Sequence, residues 1–80
     1  MTGIKKRSIL LFSHATSIAL EPQFWDELKL IATEQGKSLT ALIEEIDQSR
    51  MIPNNLSASL RAFILKNLRD KVNQLEKKND

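Results

Sequence analysis

The sequence has no cysteine and a single histidine, His14. The first absence excludes disulfides and thiolate metal sites, and it fits a reducing cytoplasm. The second leaves a histidine-based zinc centre without ligands. Only two glycines are present, Gly3 and Gly36, so there is no glycine-rich loop to cradle a phosphate. The longest unbroken apolar run is Ile9–Phe12, far short of the ~20 residues that cross a bilayer. It follows Lys5-Lys6-Arg7 in the manner of a secretory signal, but Ser13, His14, Thr16 and Ser17 break the apolar stretch too early. These readings place the chain in the cytoplasm, away from membranes.

What is there is an 80-residue chain, 41% hydrophobic and 28% charged, which is the balance of one small folded domain. A lone core of this size rarely supplies more than ~3–5 kcal/mol. With disulfides and metals excluded, the remaining staple is a second copy of the chain. The net charge of +2 is unevenly spread. Residues 1–20 carry three bases and no acid, residues 21–50 seven acids and three bases, and residues 51–80 six bases and three acids. Basic ends flanking an acidic middle permit a polyanionic partner without demanding one.

Three regions are expected. Residues 1–7 read as a basic flexible arm. Residues 8–52 read as a compact core, and residues 53–80 as a third helix with a frayed tail. Within the core, residues 8–20 are β-branched and apolar without Gly or Pro, and read as one strand or two short ones. Strict alternation puts Leu10, Phe12, His14, Thr16, Ile18 and Leu20 on one face and Ile9, Leu11, Ser13, Ala15, Ser17 and Ala19 on the other. Pro22 opens a helix at its favoured first position and Gly36 closes it. Phe24, Leu28, Ile31 and Ala32 supply its stripe. Ser38 caps a second helix whose Leu39, Leu42, Ile43 and Ile46 recur at i, i+3, i+4 and i+7. That helix is expected to fade near 49–51. Pro53-Asn54-Asn55 reads as a turn, with one asparagine capping a helix marked by Leu60, Ile64, Leu68, Val72 and Leu75. A single strand in a mostly α chain needs a partner for its backbone groups. The same strand of a second chain supplies one. The resulting interlocked core would hold Ile18, Leu20, Phe24, Leu28, Ile31, Leu42, Ile43 and Ile46 of each subunit.

Candidate chemistry is sparse. Glu44, Glu45 and Asp47 point in different directions from one helix and read as a solvated face. The serines have no base but His14. His14 itself reads as a packed or hydrogen-bonded strand residue. Trp25 and Phe24 fit a core or dimer contact better than a binding surface. An enzyme is not expected, nor is a cofactor or metal. The third helix could pack on its own dimer, extend a basic surface through Arg61, Lys66, Arg69 and Lys71, or make a further oligomer contact through Leu68, Val72 and Leu75.

The run Ser17-Ile18-Ala19-Leu20, then Phe24-Trp25-Asp26-Glu27-Leu28, then Ile31-Ala32 through Gly36-Lys37-Ser38 to Leu42-Ile43, resembles the ribbon-helix-helix proteins of the Arc/MetJ/CopG type. His14–Glu21, Phe24-Trp25 and Asn55–Arg61 look more narrowly like a small bacterial subfamily of such domains. The resemblance implies an intertwined dimer with an intermolecular antiparallel β-ribbon, extended here by a C-terminal helix. It implies double-stranded DNA as partner, with the ribbon in the major groove. Carried over by position, Ala15, Ser17 and Ala19 face the bases. Lys37, Ser38 and Leu39 hold phosphate at a helix N-terminus. Lys5, Lys6 and Arg7 add a basic grip on phosphate. The expected function is a small homodimeric transcriptional regulator. The alternative is a protein-interaction or oligomerisation module. It is motivated by two alanines at positions where polar base readers are usual, and by an outer ribbon face of Ile9, Leu11, Ala15 and Ala19.

Overall fold

The computed structural model describes residues 3–50, 52 and 55–78, the last two by backbone alone. Two strands, β1 (Lys5–Leu11) and β2 (His14–Leu20), precede three helices, α1 (Pro22–Glu34), α2 (Leu39–Gln48) and α3 (Leu56–Lys78). The strands pair antiparallel in one two-stranded sheet, from Lys5 opposite Leu20 to Leu11 opposite His14. This corrects two expectations. The extended region is not the single strand but the pair of short ones, and β1 satisfies one edge of β2 within the same molecule. Nor do Lys5, Lys6 and Arg7 belong to a flexible arm, since they open β1.

The reversal happens at Phe12 and Ser13, whose φ values are +49° and +69°. A tight two-residue hairpin loop of the primed type needs positive φ at both central positions, and Asn-Gly is the usual sequence signal for it. Phe-Ser carries none of that signal. The Phe12 backbone N–H is held from outside the hairpin, donating to Glu44 Oε2 of α2 at 2.8 Å.

Helix boundaries follow the local chemistry closely. Pro22 stands at the first position of α1. Its C-terminus closes with Lys37 N–H on the Ala32 carbonyl at 2.8 Å and Gly36 N–H on the Thr33 carbonyl at 3.1 Å. That pair of bonds is a Schellman closure, and Gly36 takes the left-handed φ of +67° that it requires. Ser38 Oγ accepts the Ala41 N–H at 3.0 Å and starts α2. Helix α2 ends at Gln48 with Ser49 as its cap. Asn55 Oδ1 accepts the Ala58 N–H at 3.0 Å and starts α3. Met51, Pro53, Asn54, Asn79 and Asp80 lie outside the described residues, so the expectations placed on them do too. Fully buried Ser59 ties the α2–α3 connection to the body. Its Oγ donates to the Ile52 carbonyl at 3.1 Å and accepts the Ile52 N–H at 3.2 Å.

The core joins all five elements: Leu11, Ile18, Leu20, Trp25, Leu28, Ile31, Ala32, Leu42, Ile43, Ile46, Leu60 and Ile64 are buried. Seven of the eight residues expected in an interlocked dimer core are among them, and Phe24 packs against their edge. They close on one another within one chain, with α3 contributing Leu60 and Ile64. Full burial of a side chain of the Leu or Ile class is worth ~1.5–3 kcal/mol. This set is therefore the main source of stability within the chain.

Candidate nucleic-acid interface

The hairpin has an inner and an outer face, and the register sorts them. Directly opposed residues share a face. Ile18 and Leu20 are buried, so their partners Arg7 and Lys5 stand on the inner side. Ile9, opposite Thr16, and Leu11, opposite His14, stand there as well. Lys6 with Ala19, Ser8 with Ser17, and Leu10 with Ala15 form the outer face. Leu11 is only 4% exposed, whereas Leu10 is 63% exposed. This reverses the expected assignment for the first strand. Ile9 and Leu11 do not continue the outer face of Ala15 and Ala19; Leu10 does. Leu11 and His14 differ by an odd number of residues yet face the same way, because a two-residue turn shifts the alternation by one. His14, expected to be a packed or hydrogen-bonded strand residue, pairs with Leu11 as a residue of β2 and has its side chain exposed.

The basic triple divides accordingly. Lys6 alone projects outward, beside Ala19. Arg7 turns inward and half-buries its guanidinium 5.3 Å from the centre of the Trp25 ring, a cation–π contact. The backbone carbonyl of Lys5 accepts the Trp25 Nε1–H at 3.0 Å. Trp25 is thus a core residue that fixes the base of the hairpin, as its helical spacing suggested. The acid at the other end is Glu44, bonded to the turn. The hairpin is therefore polar in charge along its length, with cations at its root and a carboxylate at its tip.

The residues expected to hold phosphate through their backbone N–H groups at the start of α2 have side chains that are engaged or partly covered, and the Lys37 N–H itself bonds to the Ala32 carbonyl. Lys37 Nζ makes an ion pair with Glu45. The Ser38 hydroxyl is used as a cap. Leu39 is half-buried and packs on the core. Arg61 is drawn off the basic surface as well. Its Nη2 and Nε donate to Glu21 Oε1 at 2.9 and 3.2 Å, and its guanidinium lies 5.7 Å from the Phe24 ring centre. A hydrogen bond from its own backbone amide, and then Arg61, hold the Glu21 carboxyl below its ordinary pKa. Among the described residues, no cluster of His, Asp or Glu could hold a metal ion, and no helix is long and apolar enough to cross a membrane.

The outer face can do modest chemistry. Lys6 reaches for a phosphate or a guanine acceptor edge, Ser8 and Ser17 donate or accept, and Ala15, Ala19 and Leu10 suit a thymine methyl. Ala15, Ser17 and Ala19 are legible from the sequence. Ser8 and Leu10, their face partners, are not, and Lys6 belongs with them rather than with a separate phosphate grip, because these positions follow from a turn that carries no sequence signal.

Comparison with known proteins agrees with this architecture. A family model for the ribbon-helix-helix domain matches residues 4–68, from before β1 into α3. The solved structure of an uncharacterized protein from Bordetella pertussis Tohama I superposes with a TM-score of 0.69 at 36% sequence identity, over 95% of this chain. The chain spans 62% of the length of that protein. None of the curated proteins compared is a significant match. With strands, two capped helices and the matched segment coinciding, the chain belongs to the ribbon-helix-helix domain family.

Proposed function

We propose that the protein is a small DNA-binding regulator that works as a homodimer and reads duplex DNA with the outer face of its hairpin. The observation that carries this reading is the face itself: Lys6, Ser8, Ala15, Ser17 and Ala19 stand together on an antiparallel two-stranded ribbon. The major groove admits a ribbon of that width. Family membership supports the same reading. In the intertwined arrangement two chains would supply one strand each. Here β1 and β2 supply both, so one subunit carries a complete reading element and the dimer serves to space two of them. Lys6 supplies charge, and the two alanines leave base discrimination to serine and to methyl contacts. The expected binding is therefore strongly salt-dependent and weakly sequence-selective.

Fluorescence anisotropy with a mixed-sequence duplex, titrated from low to physiological salt, tests this. Binding should weaken steeply as salt rises. Lys6→Ala should reduce the slope of log K against log salt by about one per chain. Arg7→Ala, which removes an inward cation, should alter the slope less. No binding at the lowest salt retires the proposal. The second reading, a protein-interaction module, is favoured by Leu10, whose exposed side chain sits at the turn end of the outer face. It predicts that Leu10→Asp abolishes a protein complex while DNA binding is absent throughout.

A further inference from the structure

The outer face of the hairpin is chemically graded from root to turn. Lys6 opposes Ala19, Ser8 opposes Ser17, and Leu10 opposes Ala15. The first pair carries a charge, the second two hydroxyls, and the last no polar side-chain atom. Leu10 is 63% exposed, and Phe12, exposed in the turn beyond it, continues the apolar end. Lys6 and Leu10 stand four residues apart on β1, ~14 Å at ~3.4 Å per residue. Base pairs stack at ~3.4 Å, so the charged and the apolar pair meet base pairs about four steps apart. Glu44 stands at the turn as acceptor of the Phe12 N–H. A carboxylate there disfavours a phosphate grip at this end, which leaves the apolar pair to face base edges.

We infer that Leu10 and Ala15 form a contact for the C5-methyl group of a pyrimidine in the major groove, so that the protein prefers duplexes bearing that methyl. The inference rests on the DNA reading proposed above and adds the chemical feature that is read. In the major groove guanine, adenine and cytosine present only hydrogen-bonding atoms, whereas thymine adds a methyl beside its O4 acceptor. The side chains of leucine and alanine offer no partner to those polar atoms, and stripping water from them costs free energy. Against a methyl the same two side chains bury apolar surface on both sides of the contact. 5-Methylcytosine carries the same group at the same ring position. The recognised chemistry is therefore the methyl, with thymine and 5-methylcytosine as its two sources. Because Lys6 lies about four base pairs away, the two contacts are separable. Leu10 sets a preference among bases, and Lys6 sets the salt dependence.

Anisotropy titrations of the full chain on one mixed-sequence duplex, prepared in different chemical forms, test it. One form carries thymine, a second deoxyuridine in place of every thymine, and a third is the deoxyuridine duplex with 5-methylcytosine in place of cytosine. Deoxyuridine keeps every hydrogen-bonding edge and loses only the methyl. The wild type should bind the deoxyuridine form about two- to fourfold more weakly, the worth of one CH₂ group, at an unchanged salt slope. Leu10→Ala should bring that ratio toward one with the circular dichroism unchanged, because the side chain is exposed and outside the core. Lys6→Ala should lower the salt slope and keep the ratio. Recovery of affinity on the 5-methylcytosine form supports the methyl as sufficient, and loss without recovery supports a contact made to thymine. Salt-dependent binding that does not distinguish thymine from deoxyuridine overturns the inference and leaves the DNA reading standing. So does a ratio that survives Leu10→Ala, which would place the methyl contact on other residues. Absence of binding to every form at the lowest salt removes the DNA reading and this inference with it.

Discussion

The indole N–H of Trp25 donates to the backbone carbonyl of Lys5 at 3.0 Å, joining the first residue of β1 to the first turn of α1 across the core. Arg7 covers the same ring from the next inward position of the strand. One buried side chain therefore sets where the hairpin root sits on the helical layer, and with it the direction in which Lys6 projects.

Trp25→Phe keeps the packing in part and deletes the donor. It should cost about 1–2 kcal/mol, while Trp25→Ala should cost about 3–5 kcal/mol. Chemical denaturation followed by far-ultraviolet circular dichroism measures both. A Phe variant as stable as wild type would mean that the bond to Lys5 contributes nothing.

The hairpin turn is conformationally expensive. Phe12 and Ser13 both hold positive φ, a region in which non-glycine L-residues lose about 1–2 kcal/mol each. Replacing the pair, Phe12→Asn with Ser13→Gly, should raise the denaturation midpoint at unchanged slope, by roughly 1–2 kcal/mol. The Glu44 bond goes to a backbone N–H and survives the exchange. Glu44→Gln should be destabilising in wild type, since a charge-assisted bond to the turn is weakened.

Gly36 carries φ +67°, and a Cβ added there meets nothing within 4 Å. The cost of Gly36→Ala is thus conformational alone, about 1 kcal/mol. Gly36→Asn should cost less, because asparagine tolerates the left-handed region. Thermal denaturation of the two variants ranks them, and equal losses would argue against a Schellman closure as the source.

The Glu21–Arg61 pair ties the start of α1 to α3. Glu21 has a depressed pKa when folded, so its contribution is present above the ordinary carboxylate value of 4.5 and is lost as pH falls through the lower folded value. The stability difference between wild type and Glu21→Gln should be constant at neutral pH and shrink on acidification below about pH 4.5. Arg61→Ala should move the Glu21 titration upward, which carboxyl chemical shifts followed by NMR would record.

The helices are legible in the chain because their signals are local. Pro22, Gly36, Ser38 and Asn55 act within one turn of themselves, and the apolar positions of α1 and α2 repeat with the helical period. The family resemblance lies in the same segments. The hairpin is not legible in the same way. Its turn, Phe12-Ser13, uses neither Gly nor Asn, and its conformation is supported by Glu44, 32 residues away in α2. Without the turn, every alternation argument before it is off by one, which is why strict alternation puts Ile9 and Leu11 outside and Leu10 inside. The basic triple splits for the same reason.

Composition and periodicity by themselves determined a small helical domain with an extended N-terminal segment, its core residues apart from Leu11, and the caps that divide its helices. Only the tertiary structure decided that those core residues close within one chain, that β1 is the mate of β2, and that Lys6 faces outward while Arg7 lies on Trp25. The physical reason is the range of the forces concerned. Caps and helical stripes are set by neighbours a few residues apart. The pairing of strands and the direction of a hairpin face are set by contacts between residues that only folding brings together.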